Sequence, residues 1–332
     1  MRKVYLLLLL IVVFGCADQK KISYGKLAGI ALGTSFHITY NRTDYSVSEK
    51  QIDSLIHQVN KSMSTYLPTS DISKINQGDS TIVVDKMFQD VFKKSERIYK
   101  ETNGAFDPTI GVLVNAWGFG PNNKVENLDS THVKSMLAFV GLEKVQLKNS
   151  KIIKKYSSTY IDFNAIAKGY AVDVIGWFLE SKEIKNYLVE IGGEIRARGS
   201  NPDGKNWKIA IEKPNFDGTR SFQAVLELND ESIATSGNYR KFKIDKRTGM
   251  KFAHTIDTKT GFPSQSNLLS ASVIAQKDCA DVDGYATAFM AMGLKKSKLF
   301  LKEHQDLKCF LIYSDDKGDI KTFATKNLQI SN

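Results

Sequence analysis

Residues 187–194 read Tyr-Leu-Val-Glu-Ile-Gly-Gly-Glu: a strand from Tyr187 to Ile191, broken by Gly192-Gly193. The glycine pair reads either as a plain β-turn or as a loop whose backbone approaches a ligand closely. Toward the C-terminus, strand patterns recur at 207–212, 221–228, 239–244, 268–275 and 309–313, interrupted by a helix over 282–292. Toward the N-terminus, 165–180 reads as a helix burying Ile166, Val172, Ile175 and Phe178. Short strands are expected at 144–148 and 151–155 and a helix over 130–139. Asp85 caps a helix carrying Phe88, Val91, Phe92 and Ile98, and Ser48 with Gln51 forms a capping box ahead of the stripe Ile52, Leu55, Ile56, Val59, Met63. Residues 29–40 end in alternating apolar positions, a strand. Strands and helices alternate irregularly, and hairpin-like pairs dominate the C-terminal half. The expected fold class is therefore α+β: a single large body of mixed, antiparallel-rich sheets with flanking helices, not a doubly wound parallel sheet. No repeat, low-complexity tract or Pro-rich linker divides the chain, and its 6 prolines are spread thinly.

The N-terminus has a separate logic. Arg2 and Lys3 precede an apolar run from Leu6 to Phe14, which is too short for a comfortable membrane span and is followed by Gly15-Cys16. That is the layout of a bacterial lipoprotein signal, with cleavage before Cys16 and lipid on its sulfur. More than one acyl chain gives stable anchoring. The expected organisation is a signal peptide at 1–15, a lipidated tether at 16–28 and the functional domain at 29–332. The protein is then exported and held on a membrane facing the periplasm.

Bulk composition narrows the chemistry. The formal charge of +10 comes largely from scattered lysines such as Lys93-Lys94, Lys154-Lys155 and Lys295-Lys296. No basic stripe is interleaved with aromatics, which argues against nucleic acid. Beyond Cys16 only Cys279 and Cys309 remain, too few for a disulfide framework. The common nucleotide cradles are absent: there is no Walker A sequence and no strand-linked GxGxxG. HExxH, CxxC pairs and a GxSxG elbow are absent too.

What remains is six Gly- and carboxylate-rich islands set in apolar sequence: Gly104-Ala-Phe-Asp-Pro-Thr-Ile-Gly111, with Trp117-Gly-Phe-Gly120 close behind; Asp162-Phe-Asn-Ala-Ile-Ala-Lys-Gly169; Glu190-Ile-Gly-Gly-Glu194; Thr235-Ser-Gly-Asn-Tyr-Arg240; His254-Thr-Ile-Asp-Thr-Lys-Thr-Gly261; and Asp281-Val-Asp-Gly-Tyr-Ala-Thr287. Glycine-flanked loops let backbone amides approach a ligand, and helix N-termini after such loops favour phosphates. Asp283 and Thr287 stand one turn apart at a helix start, so both oxygens face one side. A carboxylate, a hydroxyl and a backbone carbonyl suit a hard cation such as Mg²⁺. Asp281 reads as a cap for the helix at Val282, and Trp117 as packing under a loop.

Taken together and in order, the islands resemble the ApbE family, the FAD:protein FMN transferases, over roughly residues 29 to 294. Departures are small: Leu32 replaces the usual Met, Val282-Asp283-Gly284 replaces Ala-Asp-Ala, and Thr258 replaces a Pro, which is expected to loosen that turn. The resemblance implies the family's T-fold-like architecture. It further implies an FAD site lined by Leu32, Tyr66, Ala105, Phe106, Asp107, Asp162, Lys168 and Ile256. It implies a metal held by Asp283, Thr287 and the backbone oxygen of Ala165, since an alanine offers only its carbonyl.

The implied reaction is Mg²⁺-dependent phosphoryl transfer. FAD is the substrate, a Thr or Ser hydroxyl of an acceptor flavoprotein (a subunit of a membrane redox complex) attacks the FMN-side phosphorus, and AMP leaves. Asp283 serves through the metal, and His254 or a carboxylate such as Asp257 accepts the hydroxyl proton. Two alternatives remain at the level of sequence: an FAD pyrophosphatase giving FMN and AMP, and a lipoprotein that only binds FAD.

Overall fold

A computed structural model describes residues 23–122, 124–126, 128–214, 219, 221–238, 242–244 and 251–331, with backbone alone at 242–244, 251–253 and 331. Residues 1–22, Cys16 among them, and Tyr239-Arg240 of the fourth island lie outside the described residues.

The chain opens with the hairpin β1 (Tyr24–Ala31) and β2 (Thr34–Asn41), then α1 (Glu49–Met63), α2 (Asp71–Asn76), α3 (Lys86–Glu101), α4 (Gly111–Ala116) and α5 (Ser130–Leu137). The small hairpin β3 (Val145–Lys148) and β4 (Lys151–Lys154) leads to α6 (Ala167–Glu180), β5 (Tyr187–Ile191), β6 (Glu194–Arg198), β7 (Trp207–Glu212), β8 (Phe222–Leu228) and β9 (Ser232–Gly237). The remainder is β10 (Phe242–Ile244), β11 (Lys251–Ala253), β12 (Leu268–Ala275), α7 (Cys279–Glu303), β13 (Lys308–Ser314), β14 (Ile320–Ala324) and β15 (Ile330–Ser331).

Local signals explain most boundaries. The Ser48 amide donates to Gln51 Oε1 (3.0 Å), one arm of the capping box. Asp85 Oδ1 accepts the Phe88 amide at 2.8 Å and Asp129 Oδ1 accepts Thr131 and His132 amides at 2.9 Å each. The stretch read as one strand over 29–40 is two strands. Leu32 (φ 51°) and Gly33 (φ 76°) are consecutive left-handed residues, the pattern of a two-residue hairpin turn. β1 also begins at Tyr24, pairing with Asn41, so residues from Tyr24 onward, expected to be tether up to 28, belong to the folded body.

The main sheet has eight strands in the order β1-β2-β5-β6-β9-β12-β13-β14, every pairing antiparallel. Adjacent residues point to opposite faces. On one face Val189, Ile191, Ala234, Ala271 and Val273 meet α6 and α7 through Val172, Ile175, Ala286 and Phe289. On the other, Ile195, Ala197, Ile233, Ile274, Phe310 and Ile312 pack on Trp207, Ile211, Leu226 and Leu228 of a three-stranded sheet, β15-β8-β7. The central strands are thus buried on both faces, which is why 268–275 is nearly all apolar or small. The result is the expected α+β architecture.

Three differences have physical causes. α7 starts at Cys279 and runs past 292, with Gly293 (φ 75°, ψ 173°) marking a kink that only glycine adopts cheaply. Asp281 does not cap α7: the N-cap is Asp278, and Asp281 instead pairs with Lys94 (3.0 Å) and Arg97 (2.6 Å). Phe178 is half-buried, while the core position on that turn of α6 belongs to Leu179.

Candidate active site

The β1–β2 and β5–β6 turns abut. A Cβ at Gly192 (φ 59°) would lie 2.6 Å from Thr34 Cγ2, so the second turn requires glycine. Beside them opens a cavity of about 880 Å³, at the large end of small-molecule sites. Its lining draws on every island: Leu32 and Tyr66; Ala105, Phe106 and Asp107; Asp162, Ala165 and Lys168; Glu190 and Glu194; Thr235 and Ser236; His254 and Ile256; Asp283 and Thr287. Nearly all the residues singled out in the sequence therefore meet around one space.

Asp257 does not line it. Its carboxylate accepts the Lys259 amide at 2.8 Å and the Thr260 amide at 3.3 Å, which makes it the former of the turn after Ile256 rather than a proton acceptor. Thr258 does not loosen that turn. Its hydroxyl donates to the Gly104 carbonyl at 2.6 Å and ties the fifth island to the first. Trp117 Nε1 donates to the Gly261 carbonyl (2.9 Å), packing on the same loop.

The floor of the cavity is built where α6 crosses the start of α7. Residue 169 stands in the first turn of α6, where a backbone N–H has no partner within its helix. The Gly169 N–H goes instead to Asp283 Oδ2 at 3.0 Å. The Ala165 carbonyl, four residues back, is left without that bond, and Ala165 itself lines the cavity. Asp283 is 4% exposed, and Oδ2 alone has a hydrogen-bond partner among the described residues. Thr287, one turn on, shares a hydrogen bond with Ser236 at 3.3 Å. Asp283, Thr287 and Ala165, which offer a carboxylate, a hydroxyl and a backbone carbonyl, thus line one cavity.

Gly169 is also a packing requirement. A Cβ there would come within 2.5 Å of the Cys279 carbonyl oxygen and 2.7 Å of the Ala280 nitrogen. Gly169→Ala gains up to about 1 kcal/mol of helix propensity. Overpacking against backbone that cannot yield costs about 1–3 kcal/mol, so the net effect is expected to be a lower melting temperature. Thermal unfolding by circular dichroism checks it.

Electrostatics single out the same place. Among the described residues, six carboxylates line the cavity (Asp107, Asp162, Glu190, Glu194, Glu212, Asp283) against one ammonium, Lys168. Burial pushes the Asp283 carboxyl well up, and Glu194 pushes it further, with Lys168 and the Gly169 amide opposing. Burial likewise raises Glu194, which is ion-paired with Lys168. Burial pulls the Lys168 ammonium down, and Glu194 and Asp283 more than offset it, so it stays charged. Burial lifts Asp107 to about 6, although the Thr109 hydroxyl (2.6 Å) and amide (2.8 Å) both favour its charged form. Asp107 thus both forms the turn before Thr109 and faces the cavity. Asp162 is raised by burial and accepts the Asn164 amide at 2.8 Å. A divalent cation would offset the charge of an anionic ligand in so acidic a cavity, and the Asp283 oxygen that lacks a partner among the described residues fits one. Glu194 and Ser236 were not singled out in the sequence. The one signal for Glu194 was a carboxylate next to a glycine turn at the head of an apolar run.

An α+β body around a large acid-lined cavity, with a half-buried lysine and several oxygen-bearing groups at its floor, has the layout of a small-molecule binding site. Residues 32–311 match the model of the ApbE family. The chain is 38% identical over 324 residues to the FAD:protein FMN transferase of Haemophilus influenzae, covering 94% of this chain and 91% of that one. It is 36% identical over 327 residues to the FAD:protein FMN transferase of Vibrio cholerae, covering 96% of each. Its structure matches that of the flavin transferase ApbE from Vibrio cholerae with a TM-score of 0.82 at 35% identity, over 92% of this chain and 98% of that one. It matches the apo form of the Pseudomonas stutzeri flavinyl transferase ApbE with the same TM-score, 0.82, at 28% identity, over 93% and 96% of the two chains. The chain belongs to the ApbE family.

Proposed function

We propose that this enzyme transfers FMN from FAD to a Thr or Ser hydroxyl of an acceptor flavoprotein, releases AMP, and depends on Mg²⁺. The observation that carries the reading is the convergence of Asp283, Thr287, Ala165 and Lys168 on one acid-lined cavity of about 880 Å³. The names of its relatives supply the substrate and the group transferred.

Asp283, Thr287 and the Ala165 carbonyl would hold Mg²⁺, which would supply positive charge to a bound pyrophosphate. Lys168, held charged by Glu194, adds a second cation on the phosphate path. The acceptor oxygen forms a bond to the FMN-side phosphorus, and the bond from that phosphorus to the AMP phosphate oxygen breaks. We assign His254, which lines the cavity, to take the hydroxyl proton on an imidazole nitrogen, since histidine titrates near neutral pH. Tyr66, 63% exposed at the cavity, presents an aromatic face on which a flavin or adenine ring can stack. The first island (Ala105, Phe106) and Ile256 supply apolar contact to the same rings.

Incubation with FAD, Mg²⁺ and a panel of exported flavoprotein subunits, followed by intact-mass spectrometry, tests this. The expected result is an FMN adduct on one Thr or Ser and an equal amount of AMP. AMP release that is unaffected by acceptor and leaves no adduct would mean hydrolysis instead. Absence of AMP release under all conditions would mean a binding protein.

We also propose lipid anchoring through Cys16, facing the compartment that holds the acceptor. A shared membrane surface raises the effective concentration of the two partners. Among the described residues no helix is long and apolar enough to cross a membrane. Cys16→Ser is expected to move the protein from the membrane pellet to the soluble exported fraction, with its specific activity toward free FAD unchanged. Fractionation with an activity assay checks it.

A further inference from the structure

We propose that the acceptor segment docks as an added β-strand on the free edge of β7, next to the cavity, so that main-chain hydrogen bonds deliver its Thr or Ser to the flavin. The proposal rests on the transferase reading above.

β7 is an outermost strand of the three-stranded sheet β15-β8-β7, and among the described residues it pairs with β8 on one side and with no strand on the other. Ile209, Ala210, Ile211 and Glu212, four consecutive residues, line the same cavity as Asp283, Thr287 and His254. Side chains of successive strand residues point to opposite faces. Ile211 goes into the inter-sheet core while Ala210 is exposed. One face of a strand cannot supply four consecutive lining residues; its edge can. The cavity is therefore bounded on this side by strand backbone.

An open strand edge is a template for another extended chain, and folded proteins generally cover, charge or distort such edges. Here residues 207–211 hold no proline and one charged side chain, Lys208, which is exposed and reaches back toward Glu227 of β8 (3.6 Å). The irregularity in the pairing lies at the cavity end: the register shifts between Ile211 and Glu212, leaving Gln223 as the extra residue on β8. Such a bulge bends its strand and strengthens the local twist.

The edge fits a peptide of a particular kind. Strand addition takes affinity from main-chain amides and leaves alternate side chains to confer specificity. An acceptor threonine on an extended or disordered segment could enter; one held inside a helix could not. Each added residue advances about 3.3 Å, so the strand carries its hydroxyl toward the cavity without a dedicated protein–protein interface.

The test uses the full folded chain, FAD and Mg²⁺ with a mixture of synthetic dodecapeptides that share a central threonine and are randomised elsewhere. Peptides that acquire FMN are remade with single backbone N-methyl groups. Methylation is expected to cut transfer about tenfold at alternate positions and to leave the positions between unchanged, because only every second N–H faces the neighbouring strand. Hydrogen–deuterium exchange is expected to show the best of these peptides protecting amides within 207–212. Sensitivity without alternation, or protection elsewhere only, overturns the proposal. So does AMP release and labelling of folded acceptors with no peptide ever modified. Failure of FAD to give AMP or any adduct removes the transferase reading, and the docking proposal with it.

Discussion

Asp283→Asn is expected to lower FMN transfer about a thousandfold while leaving a protein that folds at least as well as the parent in metal-free buffer. The two effects have different origins. The Asn side chain keeps an oxygen to accept the Gly169 N–H, now received by Asp283 Oδ2 at 3.0 Å, so the α6–α7 crossing survives. What disappears is the charge on the one oxygen that has no protein partner. A neutral amide is a poor ligand for a hard cation. Several kcal/mol of transition-state charge stabilisation is then lost, which amounts to about three powers of ten in rate. The sign on stability is the reverse. Burial, then Glu194, holds the folded pKa of Asp283 well above its ordinary 3.8. A carboxyl with a raised folded pKa costs nothing while it is protonated in both states. It costs stability as pH rises from the unfolded value through the folded one. The advantage of the Asn variant should therefore be small near pH 4 and larger near pH 8. Added Mg²⁺ should raise the melting temperature of the parent and not of the variant, because only the parent gains a bound ion in the native state. Adduct formation and thermal melts with and without Mg²⁺ read both effects. Transfer within about tenfold of the parent would remove Asp283 from the cation site.

The lessons for reading such a sequence lie in particular residues. Helix starts were legible because capping is local: Ser48 with Gln51, and Asp85, act within three residues of themselves. The islands were legible because glycine and carboxylates are conspicuous in apolar sequence, and their order carried the family resemblance. β9 was not legible. Ser-Ile-Ala-Thr-Ser-Gly looks like a loop, yet it lies between β6 and β12 in the middle of the main sheet. Its hydroxyls are satisfied only by distant residues, Thr235 by Ser272 of β12 at 2.8 Å and Ser236 by Thr287 of α7 at 3.3 Å. Asp257 misled for the opposite reason. It lies beside His254 in sequence, but a two-residue reach to the Lys259 amide claims its carboxylate for a turn. Glu194 and Lys168 are 26 positions apart, and no pattern within either island announces their ion pair. Local chemistry is written in the sequence; partnerships made by the fold are not.

Arg196 shows how far such a partnership reaches, and Arg196→Met is expected to cost about 3–5 kcal/mol of stability, the range for breaking a buried ion pair from one side. The guanidinium is 5% exposed and bonds Tyr187 Oη (2.9 Å), Asp173 (3.0 Å), Asp278 (2.9 Å) and Glu180 (3.1 Å). Methionine fills much of the same volume, so the loss is of charge and hydrogen bonds rather than of packing. Asp173, fully buried on α6, takes the Cys279 and Ala280 amides at 2.7 and 2.8 Å and so supplies the cap that Asp278 does not. Burial, then Asp278, raises its pKa to about 7, and Arg196 is the main group opposing that rise. Removing Arg196 pushes the pKa higher still. With the folded value above the unfolded one, the cost appears only as the carboxyl ionises, so the deficit should be smallest near pH 5 and largest near pH 8. Urea unfolding at the two pH values measures it. A deficit that is the same at both, or under about 1 kcal/mol, would show that Asp173 does not depend on Arg196. Arg196 is not among the cavity-lining residues, yet transfer should also weaken, because Asp283 lies one turn beyond the amides that Asp173 holds. Asp283→Asn loses activity and keeps its stability; Arg196→Met should lose both together, and lose them most at high pH.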